Sequence, residues 1–130
     1  MILLQGIDLV KNLRIKKIYK NHKTRFLNKI LTNREINQIL KKENFEKLII
    51  SLAGKFAVKE AASKAIGTGI SKNIRFTDFE ILNDKDGKPC LEIYGEAHKR
   101  LKKIFKKYKS VVSVSNEKEY TVVVVTFYGN

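Results

Sequence analysis

The segment from residue 46 to 66 constrains this chain most. Ala, Leu, Lys and Glu dominate it, which are strong helix formers, and Gly67 supplies a stop. Leu48, Ile49, Leu52, Phe56, Val58, Ala61, Ala62, Ala65 and Ile66 leave little of its surface purely polar. A helix that is apolar on most sides lies centrally, with other elements packed round it. Polar groups on such a helix need an explanation, because a buried carboxylate is costly unless it is paired or bound to a metal. Glu60 is one such group. An i,i+4 pair with Lys64 on an exposed face would contribute only ~0.3–0.5 kcal/mol, so burial favours a stronger ligand.

The flanking sequence supplies the elements that surround this helix. Ile2 to Leu4 reads as a short strand leading into Gly6-Ile7-Asp8-Leu9-Val10. Residues 12–20 and 24–31 read as helical. Thr32-Asn33-Arg34-Glu35 is a capping box that predicts a helix of about two turns, to roughly Lys42. Phe76 to Leu82 alternates like a strand, residues 83–89 form a turn, and Cys90 to Tyr94 returns as the second arm of a hairpin. Ala97, Leu101, Ile104, Phe105 and Tyr108 fall at helical spacing between Glu96 and Lys109. Val111 to Ser115 and Tyr120 to Phe127 close the chain as two strands. The expected class is α+β: a mostly antiparallel sheet packed on one long central helix, in a single domain over 1–130.

Bulk properties narrow the function classes. The chain is 43% hydrophobic and 31% charged, which is globular rather than disordered. No apolar run approaches the ~18 residues that span a bilayer. Met1-Ile2-Leu3-Leu4 is too short for a signal peptide and lacks a basic flank. Cys90 is the single cysteine, so a thiolate metal cluster and an internal disulfide are both excluded, and a cytoplasmic location is expected. The net charge is +14, from 27 Lys and Arg against 13 Asp and Glu, and favours a polyanionic partner. A biased Lys, Ile and Asn usage gives the same excess, so charge permits such a partner without identifying it.

Two carboxylates carry the chemistry. Asp8 sits just past an apolar strand, where it either caps the next helix or serves as a ligand. With Glu60 it would supply part of a magnesium shell that phosphate and water complete. Lys55, Lys59 and Lys64 project from the central helix, either as a solvated stripe or as clamps on a metal-bound pyrophosphate. The small residues of Gly67-Thr68-Gly69 would let a ligand approach the backbone.

These segments resemble a known family. Gly6-Ile7-Asp8-Leu9-Val10 with Arg14-Ile15 resembles the first motif of the holo-acyl-carrier-protein synthases, which are small bacterial 4′-phosphopantetheinyl transferases. Leu52 to Ile70 resembles their second motif nearly throughout. Arg25-Phe26-Leu27, Thr32-Asn33-Arg34-Glu35, Asn83-Asp84 and Gly87-Lys88-Pro89 match segments between and beyond. The resemblance implies that Asp8 and Glu60 are magnesium ligands and that Lys64 contacts phosphate and protonates the leaving group. It places Lys55, Lys59, Ser63, Lys64, Gly67, Thr68, Gly69 and Asn116 in coenzyme A binding. It assigns Arg14 and Arg25 to the face that meets an acidic carrier protein, and it implies a homotrimer with active sites at subunit boundaries.

Three positions depart from the family pattern. Lys55 stands where Arg is usual, which keeps the charge but loses bidentate geometry. Lys11 stands where an acidic residue is common. Ser113-Val114-Ser115-Asn116 replaces a Ser-x-Ser-His motif, so no titrating histidine is present there. His22 and His98 lie outside the motifs and are expected at the surface. The expected activity is transfer of 4′-phosphopantetheine from coenzyme A to a carrier-protein serine, with adenosine 3′,5′-bisphosphate leaving and Glu60 as base. The alternatives are a non-catalytic basic nucleic-acid-binding module, and a coenzyme A-binding relative that has lost activity. The first leaves Glu60 unexplained.

Overall fold

In the computed structural model, which describes residues 1–130, the chain begins with strand β1 (Ile2–Lys11) and helices α1 (Asn12–Ile30), α2 (Asn33–Ile39) and α3 (Phe45–Ile66). Strands β2 (Phe79–Asn83) and β3 (Pro89–Ile93), helix α4 (Gly95–Ile104) and strands β4 (Tyr108–Asn116) and β5 (Tyr120–Gly129) follow. All strand pairing is antiparallel. β5 lies between β1 and β4 in one sheet, and β2 and β3 form a separate hairpin. The fold is α+β, with α3 across the inner face of the three-stranded sheet. No helix is long and apolar enough to cross a membrane.

The expectation for α3 holds. Ile49, Leu52, Ala53, Phe56, Ala57, Val58, Ala61, Ala62 and Ala65 are all buried. They meet Val10 of β1 and Val123, Val125 and Phe127 of β5 in one continuous apolar cluster. Asn44 caps the helix start through the Lys47 amide, and Gly67 ends it in the left-handed region at φ 93°. Helix and sheet approach tightly at Gly6, where a Cβ would come within 1.9 Å of the Ala61 carbonyl oxygen. Any larger residue there would push β1 off the helix.

Elsewhere tertiary contacts reshape local preferences. The two weak helical stretches form one helix, α1, interrupted at His22 (φ −140°, ψ 40°). α2 ends at Ile39, short of Lys42, but its capping box is present: Thr32 Oγ1 accepts from the Glu35 amide, and Glu35 Oε1 accepts from the Thr32 amide at 2.9 Å. The strand expected from Phe76 begins only at Phe79, because Phe76–Asp78 form a turn of 3₁₀ helix. α4 stops at Ile104 rather than Lys109. Tyr108 pairs with Gly129 in the sheet, and the Lys106 amide donates to the Asn130 carbonyl at 2.6 Å. The helical spacing of Phe105 and Tyr108 loses to strand pairing.

Candidate active site

Gly6 determines where the first functional group lies. Side chains alternate along a strand, so Asp8 shares the inward face with Gly6. The tight contact at Ala61 then sets Asp8 beside Glu60 and Lys64, which flank Ala61 on α3. Lys64 Nζ donates to Asp8 Oδ1 at 2.9 Å and to the Ile7 carbonyl at 3.1 Å. Neither simpler alternative is realised. Asp8 caps no helix, since α1 starts at Asn12 with Lys11 at its cap position and no side-chain cap. Lys64 pairs across to the strand, not back to Glu60.

Glu60 is half-buried, and its carboxyl is held above the ordinary value of 4.5. Burial is the main cause and the neighbouring Asp8 carboxylate the second, outweighing the opposing pull of Lys64 and Arg14. Two carboxylates crowded against a helix form an unfavourable arrangement that a cation relieves. No group of three or more His, Cys, Asp or Glu side chains is placed to hold a metal by itself. The pair suits a cation that takes only part of its shell from protein, as magnesium does.

Of the residues expected at coenzyme A, Lys55 and Asn116 open on one cavity of about 370 Å³, together with Gly54, Asn83, Gly87, Pro89 and Ser113. Lys55 Nζ donates to the Ile81 carbonyl at 2.7 Å. Lys59 and Ser63 require correction. Lys59 is fully buried one helical turn beyond Lys55, and its ammonium donates to the Ile30 carbonyl at 2.7 Å and to the Glu35 carboxylate. That carboxylate also accepts from the Ile81 amide at 2.9 Å. Lys59 ties α1, α2 and β2 to α3 and presents no charge to a ligand. Ser63 is also buried, its hydroxyl donating to the Glu60 carbonyl at 2.7 Å. The amides of Gly67, Thr68 and Gly69 all turn back onto the Ser63 carbonyl, at 3.1–3.2 Å, so this turn keeps no free N–H for phosphate.

Arg14 and Arg25 are both exposed on α1. The Arg14 guanidinium lies 5.7 Å from the Phe56 ring centroid and close enough to Glu60 to act on its charge. His22 and His98 are exposed as expected, although His98 Nδ1 is 2.7 Å from the Tyr108 hydroxyl.

The structure does not bring all the expected residues together. Asp8 and Val114 face Val123 from opposite edges of β5, and Asn116 lies two residues beyond Val114. Neighbouring strands are ~4.8 Å apart, so β1 and β4 are separated by roughly 10 Å. Within one chain, the carboxylate pair and the Asn116 cavity are distinct places.

Sequence reasoning passed over Asn12, Glu80 and Thr121. Asn12 Nδ2 donates to the Glu117 carbonyl at 2.8 Å and the Lys118 carbonyl at 3.2 Å, and its Oδ1 accepts from the Thr121 hydroxyl at 2.7 Å. Buried Glu80 accepts from Thr32 Oγ1 at 2.6 Å and from Arg34 at 3.2 Å. No local pattern marks such residues, because the partners just named are 46 to 109 positions away.

Comparison with known proteins now identifies the family. Residues 5–125 match the model of the 4′-phosphopantetheinyl transferase superfamily. A holo-[acyl-carrier-protein] synthase of Buchnera aphidicola subsp. Baizongia pistaciae is 46% identical over 124 residues, covering 94% of each chain. That of Staphylococcus saprophyticus is 38% identical over 117 residues, covering 90% of each. The crystal structure of a Bacillus anthracis holo-(acyl-carrier-protein) synthase in complex with CoA (3′,5′-ADP) superposes with a TM-score of 0.80 at 35% identity, over 98% of this chain and 96% of that one. The Helicobacter pylori enzyme in complex with coenzyme A gives 0.80 at 30% identity, over 96% and 100%. The fold, the Asp8–Glu60–Lys64 cluster and these relatives agree: the chain belongs to the holo-acyl-carrier-protein synthases of the 4′-phosphopantetheinyl transferase superfamily.

Proposed function

We propose that this chain, acting as a single domain in the cytoplasm, transfers 4′-phosphopantetheine from coenzyme A to a serine of an acidic acyl-carrier protein. Adenosine 3′,5′-bisphosphate leaves. The observation that carries this reading is the convergence of Asp8, Glu60 and Lys64 across the Gly6–Ala61 contact. Asp8 and Glu60 are the residues that would hold magnesium, which when bound would neutralise pyrophosphate charge. Glu60 has the raised pKa of a group able to accept the serine proton, directly or through water. Lys64 Nζ, half exposed and carried on the rigid α3, can bind the phosphate oxygens and supply a proton to the leaving group. Lys55 and Asn116 would hold the nucleotide portion of coenzyme A in the cavity they share. Arg14 and Arg25, with the lysines of α1, would meet the acidic partner.

Three copies would complete the site. The carboxylate pair and the Asn116 cavity are apart within one chain, so pairing them across a boundary between subunits gives each active site both parts. The outer face of the β1–β5–β4 sheet supports such an assembly. Leu3, Ile7 and Leu9 of β1 and Val111 of β4 are 53–63% exposed there. A contiguous apolar face on a sheet marks an interaction surface.

The test is to incubate the protein with coenzyme A, magnesium and apo carrier protein and weigh the carrier protein intact. Gain of the phosphopantetheine mass, lost with a chelator and restored by Mg²⁺, is expected. No gain with any carrier protein, despite coenzyme A binding, would instead mark a relative without catalysis.

A further inference from the structure

The hydroxyl of Thr121 has one proton, yet two carboxamide oxygens claim it: Asn12 Oδ1 at 2.7 Å and Asn116 Oδ1 at 2.9 Å. Only one of them can receive it. Asn12 cannot turn, because its Nδ2 already faces the carbonyl oxygens of Glu117 and Lys118. Turning it would set oxygen against oxygen in a buried place. Asn116 can turn. Exchange of its amide oxygen and nitrogen puts an N–H against the Thr121 oxygen, and all three residues are then satisfied.

We propose that Asn12 and Thr121 are positioning residues that fix the Asn116 carboxamide, with its nitrogen on Thr121 and its Oδ1 and remaining N–H left for the cavity shared with Lys55. The direction of the chain follows from its buried end. The Asn12 amide N also donates to the Glu119 carbonyl at 2.9 Å, so one residue anchors the whole 117–119 turn. Thr121 is fully buried, and its backbone pairs with Asn116 in the β4–β5 register. Nothing in this chain lets the hydroxyl reverse. Asn116 therefore offers a donor and an acceptor of set polarity, where free rotation would offer either. Asn12 also opens α1, two residues before Arg14, so the partner-facing helix and the nucleotide cavity hang on one hydrogen-bonded chain.

The inference rests on coenzyme A occupying that cavity, and its test separates the two. Wild-type protein that does not bind coenzyme A would refute the occupancy itself. Given binding, Thr121→Val should raise the KM for coenzyme A three- to tenfold, as expected for one lost hydrogen bond. The KM for carrier protein should stay within twofold. Thr121→Ser, which keeps the hydroxyl, should restore the wild-type value. In an Asn116→Ala background, Thr121→Val should add less than twofold, because its effect passes through Asn116. An unchanged coenzyme A KM, equal rises for both substrates, or full additivity with Asn116→Ala would overturn the proposal. Should Thr121→Val fail to fold, the ¹⁵N-labelled wild type decides alone. One of the two Asn116 side-chain amide protons should exchange slowly with solvent and shift downfield. Two fast-exchanging protons would overturn the assignment.

Discussion

At Lys55, burial first and then the nearby Lys59 and Lys42 push the ammonium pKa down from 10.5 to about 8, against the pull of Glu35 and Glu80. A lysine that loses its proton near pH 8 loses its attraction for phosphate there. The KM for coenzyme A should therefore rise as pH passes through about 8, and Lys55→Arg should flatten that rise, since guanidinium stays charged. A wild-type KM that is level from pH 7 to 9 would refute this. The same shift bears on stability. A depressed folded pKa contributes stability above the unfolded value that is lost as pH falls through about 8. Glu60 has the opposite sign. Its raised pKa favours the neutral carboxyl in the folded chain, giving stability that is present below 4.5 and lost as pH rises through the folded value. In chelator, Glu60→Gln should melt higher than wild type at pH 7.5 and abolish transfer. A lower melting temperature would show that Glu60 is already compensated without a cation. The sequence singled out Asp8, Glu60 and Lys64 mainly through the family resemblance, and the fold brings Asp8 together with the other two across the Gly6–Ala61 contact. Lys59, which the resemblance places at coenzyme A, lies buried on Glu35, a direction that spacing on an all-round apolar helix leaves open.

Among the elements, α3 was legible from propensity and its glycine stop, and the β2–β3 hairpin from its turn residues. The limits of α4 and β2 were not. Pairing of Tyr108 with Gly129 and the 3₁₀ turn at Phe76–Asp78 depend on distant chain. What joins the elements is least visible. Lys59 and Glu35 hold α2 and β2 to α3 through a fully buried ion pair. Removing one partner strands the other in a low-dielectric interior, which costs ~3–5 kcal/mol. Lys59→Ala should lower the free energy of unfolding measured by urea titration by that amount, while any variant that remains folded keeps the wild-type KM for coenzyme A. A raised KM in a fully stable variant would return Lys59 to the binding site.

For the molecule as a whole, the two faces of the main sheet set its limits. Inward, Val123, Val125 and Phe127 are fully buried against α3. Outward, the register aligns Ile7 with Val124 and Leu9 with Val122, with Leu3 beside Tyr128 at the far end. This face carries few charges although the chain as a whole has a net charge of +14. Like charges of that number oppose self-association at long range, so an assembly needs apolar contact at short range to offset them. Each large apolar side chain taken out of water contributes on the order of 1.5–3 kcal/mol. Replacing Ile7 and Leu9 by lysine places two charges per subunit in the proposed contact. The chain should still fold, because both side chains point away from the core, but sedimentation should show monomers where the wild type is expected to give the proposed trimer. Transfer activity should fall with assembly, since Asn116 of one copy then no longer meets Asp8 and Glu60 of another. Higher salt should strengthen the proposed trimer by screening its net charge, given a Debye length of ~10 Å at 0.1 M that shortens to ~3 Å at 1 M. Monomeric double-lysine protein with full transfer activity would show that one chain holds a complete site.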